Sequence, residues 1–375
     1  MAISLSGDQV RLLRMRAQRL TPQPPGAVGG VAPIVKELCG IQAQDARAAT
    51  LGVRVRSVDL LAADVEYARV QERTIIRTWG QRGTLHLLAT EDLGWLLPLF
   101  GPVFIAGDRR RREELGLDED TCARAISVMR DVLASQGALT RAELVEQLAA
   151  RDIRLEGQAR PHLLYRAALE GIICLGPDLG AEPTYVLQSD WVEPERATLS
   201  SEAALAELAL RYLQAYGPAT PEDLAAWSGM PISRIRPAWP RIADQLLEVE
   251  VAGSPAWMLK TYAAWLDEPP TPAPIVRLLP GFDIYLLGYQ NRDLAVPSQH
   301  TKRINAGGGI IHPVLLVDGR VVGTWKSKRQ KNRLEVVVEP FDQLAVQVQQ
   351  GLQAEVTDLA RFLRVPASLM LAPGT

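Results

Sequence analysis

The strongest constraint on how this chain folds is a helix-start signal that occurs twice, eighty residues apart. Gly137, Thr140, Glu143 and Leu144 in SQGALTRAELVEQLA recur as Gly217, Thr220, Asp223 and Leu224 in AYGPATPEDLAAWSG. In each copy a helix ends at glycine and a threonine caps the next one. An acidic residue three positions on can return a hydrogen bond to the cap. Each copy continues with a third helical stretch (160–170; 231–247) and two short β-like runs, IICL then TYVL, and LLEVEV then AWMLK. Three helices followed by a hairpin is the winged-helix order. The expected modules are residues 122–192 and 203–262, with a third, less regular one in the N-terminal domain 1–121. A plain tandem of helices is the alternative.

Outside the repeat the pattern changes twice. Segment 6–20 predicts a helix with Ser6 as N-cap and Asp8 in its first turn. The stretch TPQPPGAVGG (21–30) ends it, and a short helix from Pro33 to Cys39 follows, capped by Gly40. RGTLHLLA (82–89) predicts a strand running into a helix from Thr90, with Asp92 in its first turn. Beyond a stiff Pro-rich linker, DEPPTPAP (267–274), the runs IVRLLPGFDIYLLG, IIHPVLLVDGRVVGTWK and RLEVVVEPF are strand-like. Asp318-Gly319 between β-branched runs signals a hairpin. Leu344, Val348, Leu352, Val356, Leu359 and Leu363 recur every three or four residues, as in an amphipathic helix lying on that sheet. The expected fold class is α+β, mainly α: tandem winged-helix modules plus a C-terminal β-rich domain, 275–375, with a basic hairpin and a terminal helix.

Several chemistries are excluded or disfavoured. There is no Gly-Lys pair for a Walker A loop and no GxSxG elbow. GGG at 307–309 is not GxGxxG and reads as a tight bend. His86, His162, His300 and His312 form no HxxxH or HExxH, and Cys39, Cys122 and Cys174 form no CxxC. No metal and no cofactor is expected. Scattered cysteines, no signal-peptide pattern and no long apolar run lead to the expectation of a reducing cytoplasm and no membrane partner.

Charge is distributed unevenly. The chain has 41 Lys+Arg against 43 Asp+Glu, a net −2, which argues against coating nucleic acid by bulk charge. Between 300 and 335, however, Lys302, Arg303, Arg320, Lys326, Lys328, Arg329, Lys331 and Arg333 face only Asp318 and Glu335. The loop KSKRQKNR (326–333) is expected to join two strands and project from the sheet, where it would contact DNA phosphates. A solvated tip that keeps a sheet edge from pairing is the other reading. The run Arg109–Arg112 is either a second phosphate contact or a solvated helix face.

Gln42-Ala43-Gln44-Asp45 follows the Gly40 cap. Residues two apart share a side only on an extended chain, so joint action of the glutamines requires extended or irregular backbone here. Exposure at a helix end is the plainer reading.

GIQAQDARAA (40–49), RTWGQRGTLHLL (77–88) with Asp92, LLPGFDIYLLGYQNR (278–292) and DGRVVGTWK (318–326) together resemble the bacterial AlkZ/YcaQ-type winged-helix DNA glycosylases. The resemblance runs over nearly the whole chain. It implies tandem winged helices with a β-rich C-terminal region, and excision of bulky N7-alkylated purines, including interstrand crosslinks. The Gln-x-Gln form is similar to the AlkZ branch, associated with self-resistance to DNA-alkylating natural products; the YcaQ branch carries Gln-x-Asp. Gln42 and Gln44 fall on the catalytic motif, with Asp45 as an alternative base. Arg82, beside Gly83, is a phosphate candidate. His86 is either a DNA contact or a satisfied, partly buried ring. Trp79 and Trp325 read as core or hinge aromatics, and Asp283 and Arg292 as a pair.

The expected function is that of a monofunctional glycosylase, since no lysine but Lys36 lies near Gln42 in sequence. The expected partner is duplex DNA containing an alkylated purine, and the expected state a monomer. The alternatives are a non-catalytic winged-helix regulator and a drug-sequestering resistance protein. Pro237 and Pro240 break the third helix of the second copy, which makes it a poor major-groove reader.

Overall fold

The computed structural model describes residues 3–23, 29–192, 199–269, 272–307 and 309–372. Residues 24–28 of the Pro/Gly stretch, 270–271 of the linker and Gly308 of the glycine triplet lie outside the described residues. The chain forms two compact units, Met1–Val65 with Ala206–Thr375, and Glu66–Leu205.

In the unit Glu66–Leu205, the first copy of the repeat is a winged helix. Helices Glu119–Gln136, Arg141–Ala149 and Ala159–Leu169 precede a hairpin of Ile173–Leu179 and Glu182–Leu187. The capping box forms: Glu143 N–H donates to Thr140 Oγ1 at 3.3 Å, and Thr140 N–H to Glu143 Oε2 at 2.7 Å. Leu139–Thr140 pairs with the second strand of the hairpin. A further hairpin, Ile75–Trp79 with Leu85–Ala89, joins the same sheet through Arg77 and Leu175. Cys122, Met129, Leu133, Leu144, Leu148, Leu163 and Ala167 are among the residues that fill the core beneath.

In the other unit the second copy repeats the pattern at the same offset. Thr220 and Asp223 exchange the two capping bonds at 3.1 Å each, and Ala219, like Leu139, pairs with the second strand of its hairpin. The third helix is broken at its prolines into Ile232–Ile235 and Trp239–Ile242, with tighter turns Arg236–Ala238 and Ala243–Gln245. The hairpin Leu246–Val251 and Ser254–Leu259 gains a third strand from the N-terminal end of the chain. Ile3–Leu5 runs parallel to Val249–Val251, just before the helix Gly7–Ala17, which Ser6 caps.

The C-terminal sheet has five strands in the order Val276–Leu279, Val314–Val317, Arg320–Gln330, Arg333–Pro340 and Ala367–Leu371. The turn Asp318-Gly319 has both residues at positive φ, 48° and 77°, the twist a two-residue hairpin requires. The helix Val346–Leu363 follows, with Leu352, Val356, Leu359 and Phe362 buried. It crosses back so that Ala367–Leu371 lies parallel to Leu334–Val338, a strand the sequence pattern did not anticipate. Alternate residues feed two cores. Leu278, Leu315, Trp325, Val336 and Val338 meet the helix; Leu279, Val314, Leu316 and Val321 meet Met15, Leu20, Tyr285 and Leu286 on the other face. Burial on both faces explains the unbroken apolar run VLLV. Trp325 is buried, its indole N–H donating to Leu279 O at 2.7 Å, in keeping with the core reading.

Two expectations need correction. Residues 326–333 are not a loop: the strand Arg320–Gln330 runs through them, and only Lys331-Asn332 turns. Asp283 does not pair with Arg292. Its carboxylate takes Arg56 in a two-pronged bond, while Arg292 Nε donates to Leu286 O. The buried guanidinium of Arg56 has the stronger need for a fixed counter-charge.

Candidate catalytic segment and nucleic-acid interface

The QAQ segment is produced by an abrupt change of backbone direction. The helix Val31–Glu37 ends on Leu38, and Cys39 and Gly40 both take positive φ, 52° and 107°. Gly40 N–H donates to Val35 O at 2.9 Å, closing the helix end. Tyr216 Oη donates to Leu38 O at 3.3 Å, and Arg19 pairs with Glu37 at 2.7 Å, so the turn is held from two sides. The chain leaves it extended at Ile41–Gln42, bends at Gln44-Asp45, and enters the helix Ala46–Arg54. The segment is non-helical throughout, extended at Ile41–Gln42 and irregular from Ala43 to Asp45. Gln42 is buried at 6% exposure, whereas Gln44 is exposed. One amide is therefore enclosed by its surroundings and the other lies at the surface.

Asp45 has a clear local task. Its Oδ1 accepts from the N–H groups of Arg47 at 2.9 Å and Ala48 at 3.1 Å, making it the N-cap of that helix.

The far end of the helix is tied down by two buried arginines. Arg54 Nη2 donates to Glu355 Oε2 at 2.9 Å and Leu278 O at 3.0 Å, and Nη1 reaches Asp358 at 2.9 Å. Arg56 meets Asp283 at 2.8 and 2.9 Å and also donates to Gly52 O at 2.9 Å. Burial pushes the Glu355 carboxyl up. The charges of Arg54 and Arg277 and the Leu278 N–H outweigh it and hold the group below the ordinary glutamate value. Sequence reasoning missed Arg54 and Arg56. Their carboxylate partners lie more than two hundred residues away, and no local pattern marks an arginine as buried.

The basic residues collect on one hairpin. Arg320, Lys326, Lys328, Arg329, Lys331 and Arg333 are all exposed on the ribbon Arg320–Pro340. They divide by strand alternation. Lys326 and Lys328 sit on one face opposite Val337 and Glu335, and Arg329 on the other opposite Leu334. Lys326 donates to Glu339 at 2.7 Å, and this bond, with the lysine charge, lowers the Glu339 pKa. Arg303, on the short helix Thr301–Ile304, lies 4.9 Å over the Phe341 ring, which also stacks on His300; Lys302 beside it is exposed. Arg320 lines an open groove of about 410 Å³ with Gln299, His300 and Phe341. The structure thus gathers these eight sequence candidates around one ribbon and its base.

Arg82 and His86 belong to the hairpin of the other unit. Arg82 sits at its tip in a left-handed conformation, φ 55°, next to Gly83 at φ 62°. A Cβ on Gly83 would lie 2.3 Å from Tyr165 Oη, so glycine is required there. His86 is 2% exposed, its Nδ1 2.9 Å from Thr84 O. Burial and the charge of Arg82 lower its pKa to about 3, so the ring is neutral at physiological pH. This is the geometry of a satisfied interior histidine. In the Arg109–Arg112 run, the first three guanidiniums are exposed and paired with Glu113 and Glu114. Arg112 is buried against Asp108 and Glu119. The run is a helix face that neutralises itself.

Tandem winged helices combined with a basic β-ribbon define a class of protein built to act on DNA. Comparisons with known proteins specify which. Residues 35–362 match the family model described as DNA glycosylase AlkZ-like. The chain is 32% identical to an interstrand DNA cross-link repair glycosylase of Streptomyces sahachiroi, over 97% of this chain and 99% of that protein. The solved structure of the Streptomyces sahachiroi DNA glycosylase AlkZ superposes with a TM-score of 0.77 at 28% identity, covering 98% of this chain and all of that one. The chain belongs to the AlkZ-like DNA glycosylase family and is an enzyme that breaks the bond between base and deoxyribose.

Proposed function

We propose that this glycosylase excises N7-alkylated purines from duplex DNA, including bulky and crosslinked ones, by hydrolysis alone. The observation that carries this reading is the pairing of a Gln42-Ala43-Gln44 segment that is non-helical, extended at Gln42 and bent at Gln44, with an Asp45 carboxylate already engaged in capping a helix. An N7-alkylated purine is cationic and leaves readily. Water oxygen attacks C1′, the C1′–N9 electron pair goes to the purine and neutralises it, and the water proton passes to solvent. The sugar acquires oxocarbenium character on the way, as in glycoside hydrolysis. The enzyme's share is to orient the water and tolerate the charge. A glutamine carbonyl oxygen can accept from the water, and its NH₂ can hold a sugar or phosphate oxygen. Asp45 helps indirectly. A bare helix N-terminus is positive and would oppose a cationic sugar, and the capping carboxylate offsets that field.

The substrate range is supported by the relative named for interstrand crosslink repair and by the chemistry of neutral amides, which suits a pre-activated leaving group. Crosslinked and bulky bases do not enter a snug pocket, so the base is attacked without being flipped, with the basic ribbon probing a groove. Repair of, or self-resistance to, a DNA-alkylating natural product is the corresponding biological role.

The test is a duplex carrying one N7-alkylguanine, incubated with enzyme and then cleaved by alkali at abasic sites. Gln42→Ala and Gln44→Ala should abolish strand cleavage. Asp45→Asn preserves the cap, since Asn and Asp cap equally well, and should keep most of the excision rate, with only the modest loss expected from removing a charge at the helix N-terminus and a pH profile flat through the carboxylate range. Full excision by Gln44→Ala together with loss in Asp45→Asn would transfer the water-activating role to the carboxylate.

A further inference from the structure

The turn Leu278–Asp283 supplies no group to the proposed chemistry, but both of its ends grip the helix that follows the glutamines. Leu278 O accepts from Arg54, and Leu278 N–H donates to Glu355 Oε2 at 2.9 Å, the oxygen Arg54 also uses. Asp283 holds both Nη atoms of Arg56 and accepts Tyr285 N–H at 2.9 Å. Arg56 in turn satisfies Gly52 O, one of the orphan carbonyls of the helix end. Arg19 Nε donates to Arg56 O at 3.3 Å and reaches Glu37 through Nη1, so the strands of chain entering and leaving the QAQ segment share one tether. The helix Ala46–Arg54 is nine residues, about 13 Å, and is fixed at both ends. It behaves as a short rigid strut.

At Gly52 the strut packs closely against the segment that carries the glutamines. A Cβ added to Gly52 would lie 3.2 Å from Ile41 Cγ2 and 3.9 Å from Arg56 Nη1. Ile41 precedes Gln42 on the same extended stretch. Glycine is a poor helix former, and Gly52 stands inside a helix. The close approach of Ile41 accounts for it.

Resting on the assignment of Gln42 and Gln44 above, we infer that Gly52, Arg56 and Asp283 are positioning residues. They lock the Ala46–Arg54 helix to the C-terminal turn and set the depth at which Ile41, and with it Gln42, is seated. Gly52, Arg56 and Asp283 are buried and lie off the basic ribbon, so disturbing this seat should affect the chemical step more than DNA binding.

The experiment uses the full-length enzyme. Gly52→Ala favours the helix intrinsically but presses on Ile41 by a few tenths of an ångström. Misplacement of a catalytic group on the ångström scale costs up to about 10²-fold in rate. We expect single-turnover excision to slow by about tenfold or more, with cooperative unfolding and affinity for undamaged duplex retained. Adding Ile41→Leu, which removes the Cγ2 methyl, should recover much of the rate, with Ile41→Leu alone as control. Arg56→Lys, which keeps the charge and loses the two-pronged geometry, should also lower the excision rate more than duplex affinity. Wild-type excision by Gly52→Ala would overturn the inference, as would a loss that Ile41→Leu does not relieve. Gln42→Ala, run alongside, separates the layers. If it abolishes excision while Gly52→Ala does not, positioning fails and the glutamine assignment stands. If Gln42→Ala excises normally, the glutamine assignment itself falls, and the inference with it.

Discussion

Two hairpins in the same unit share a plan and differ in chemistry. The wing Leu246–Leu259 and the ribbon Arg320–Pro340 are each antiparallel pairs, and each has a parallel strand from a region near one end of the chain along an edge, Ile3–Leu5 on the wing and Ala367–Leu371 on the ribbon. The wing carries Glu248 and Glu250 and no lysine or arginine before Lys260, and Ser4 Oγ donates to Glu250. The ribbon carries six basic residues against Glu335 and Glu339. The wing of the other copy, Ile173–Leu187, is likewise acidic, with Asp178 and Glu182. The wings carry no basic residue, and the charge suited to DNA phosphates sits on a hairpin outside the winged-helix repeat. Fold alone would direct attention to the wings; the distribution of basic side chains directs it to the ribbon.

The contrast is sharpest where charge is buried. Removing one partner of a buried pair leaves an uncompensated charge, at a cost of about 3–5 kcal/mol. Asp283→Ala at the base of the C-terminal sheet should lower the urea midpoint accordingly. Glu339→Ala on the ribbon, whose pair with Lys326 is exposed, should change stability by about 0–1 kcal/mol. Equal effects would mean that ribbon and base are not energetically distinct.

The next contrast is in DNA binding. Neutralising Lys326, Lys328 and Lys331 should reduce the slope of log affinity against log salt by about 0.9 for each phosphate that the ribbon no longer neutralises. Damaged and undamaged duplex should weaken alike. Loss of lesion discrimination alone would assign the ribbon a reading role instead.

A smaller effect comes from pH. His86 has a folded pKa near 3, below its unfolded value of about 6.5. Its stabilising contribution is therefore full above about pH 6.5 and is lost as pH falls toward 3. His86→Asn should flatten the decline in unfolding free energy across that acid window while leaving duplex affinity at neutral pH unchanged. The smallest change is expected on the wing. Glu248→Gln with Glu250→Gln should move duplex affinity by less than about twofold, as surface substitutions away from an interface do. A large gain would bring the wing to the DNA.

Local rules made much of this legible. Thr140 and Thr220 announce helices because a cap and its acidic partner are three residues apart, and Asp318-Gly319 announces a turn because both residues tolerate positive φ. The strand Ala367–Leu371 was not legible, since ASLML has no alternation and its partner is set by the length of the preceding helix. Nor was the site's support. Arg54 looks like a solvated end to a helix until Glu355, 301 residues on, arrives beside it. Asp45 shows the opposite case, a residue with an obvious chemical reading whose Oδ1 also caps a helix, a task the sequence reading did not give it.

That separation of 301 residues has a consequence during synthesis. The helix behind the glutamines emerges from the ribosome early, but the carboxylates that hold it, Asp283 and Glu355, emerge late. Domains fold as their parts become available, and a contact this remote in sequence must wait for its loop to close. A chain interrupted before residue 283 would carry the glutamines without their seat.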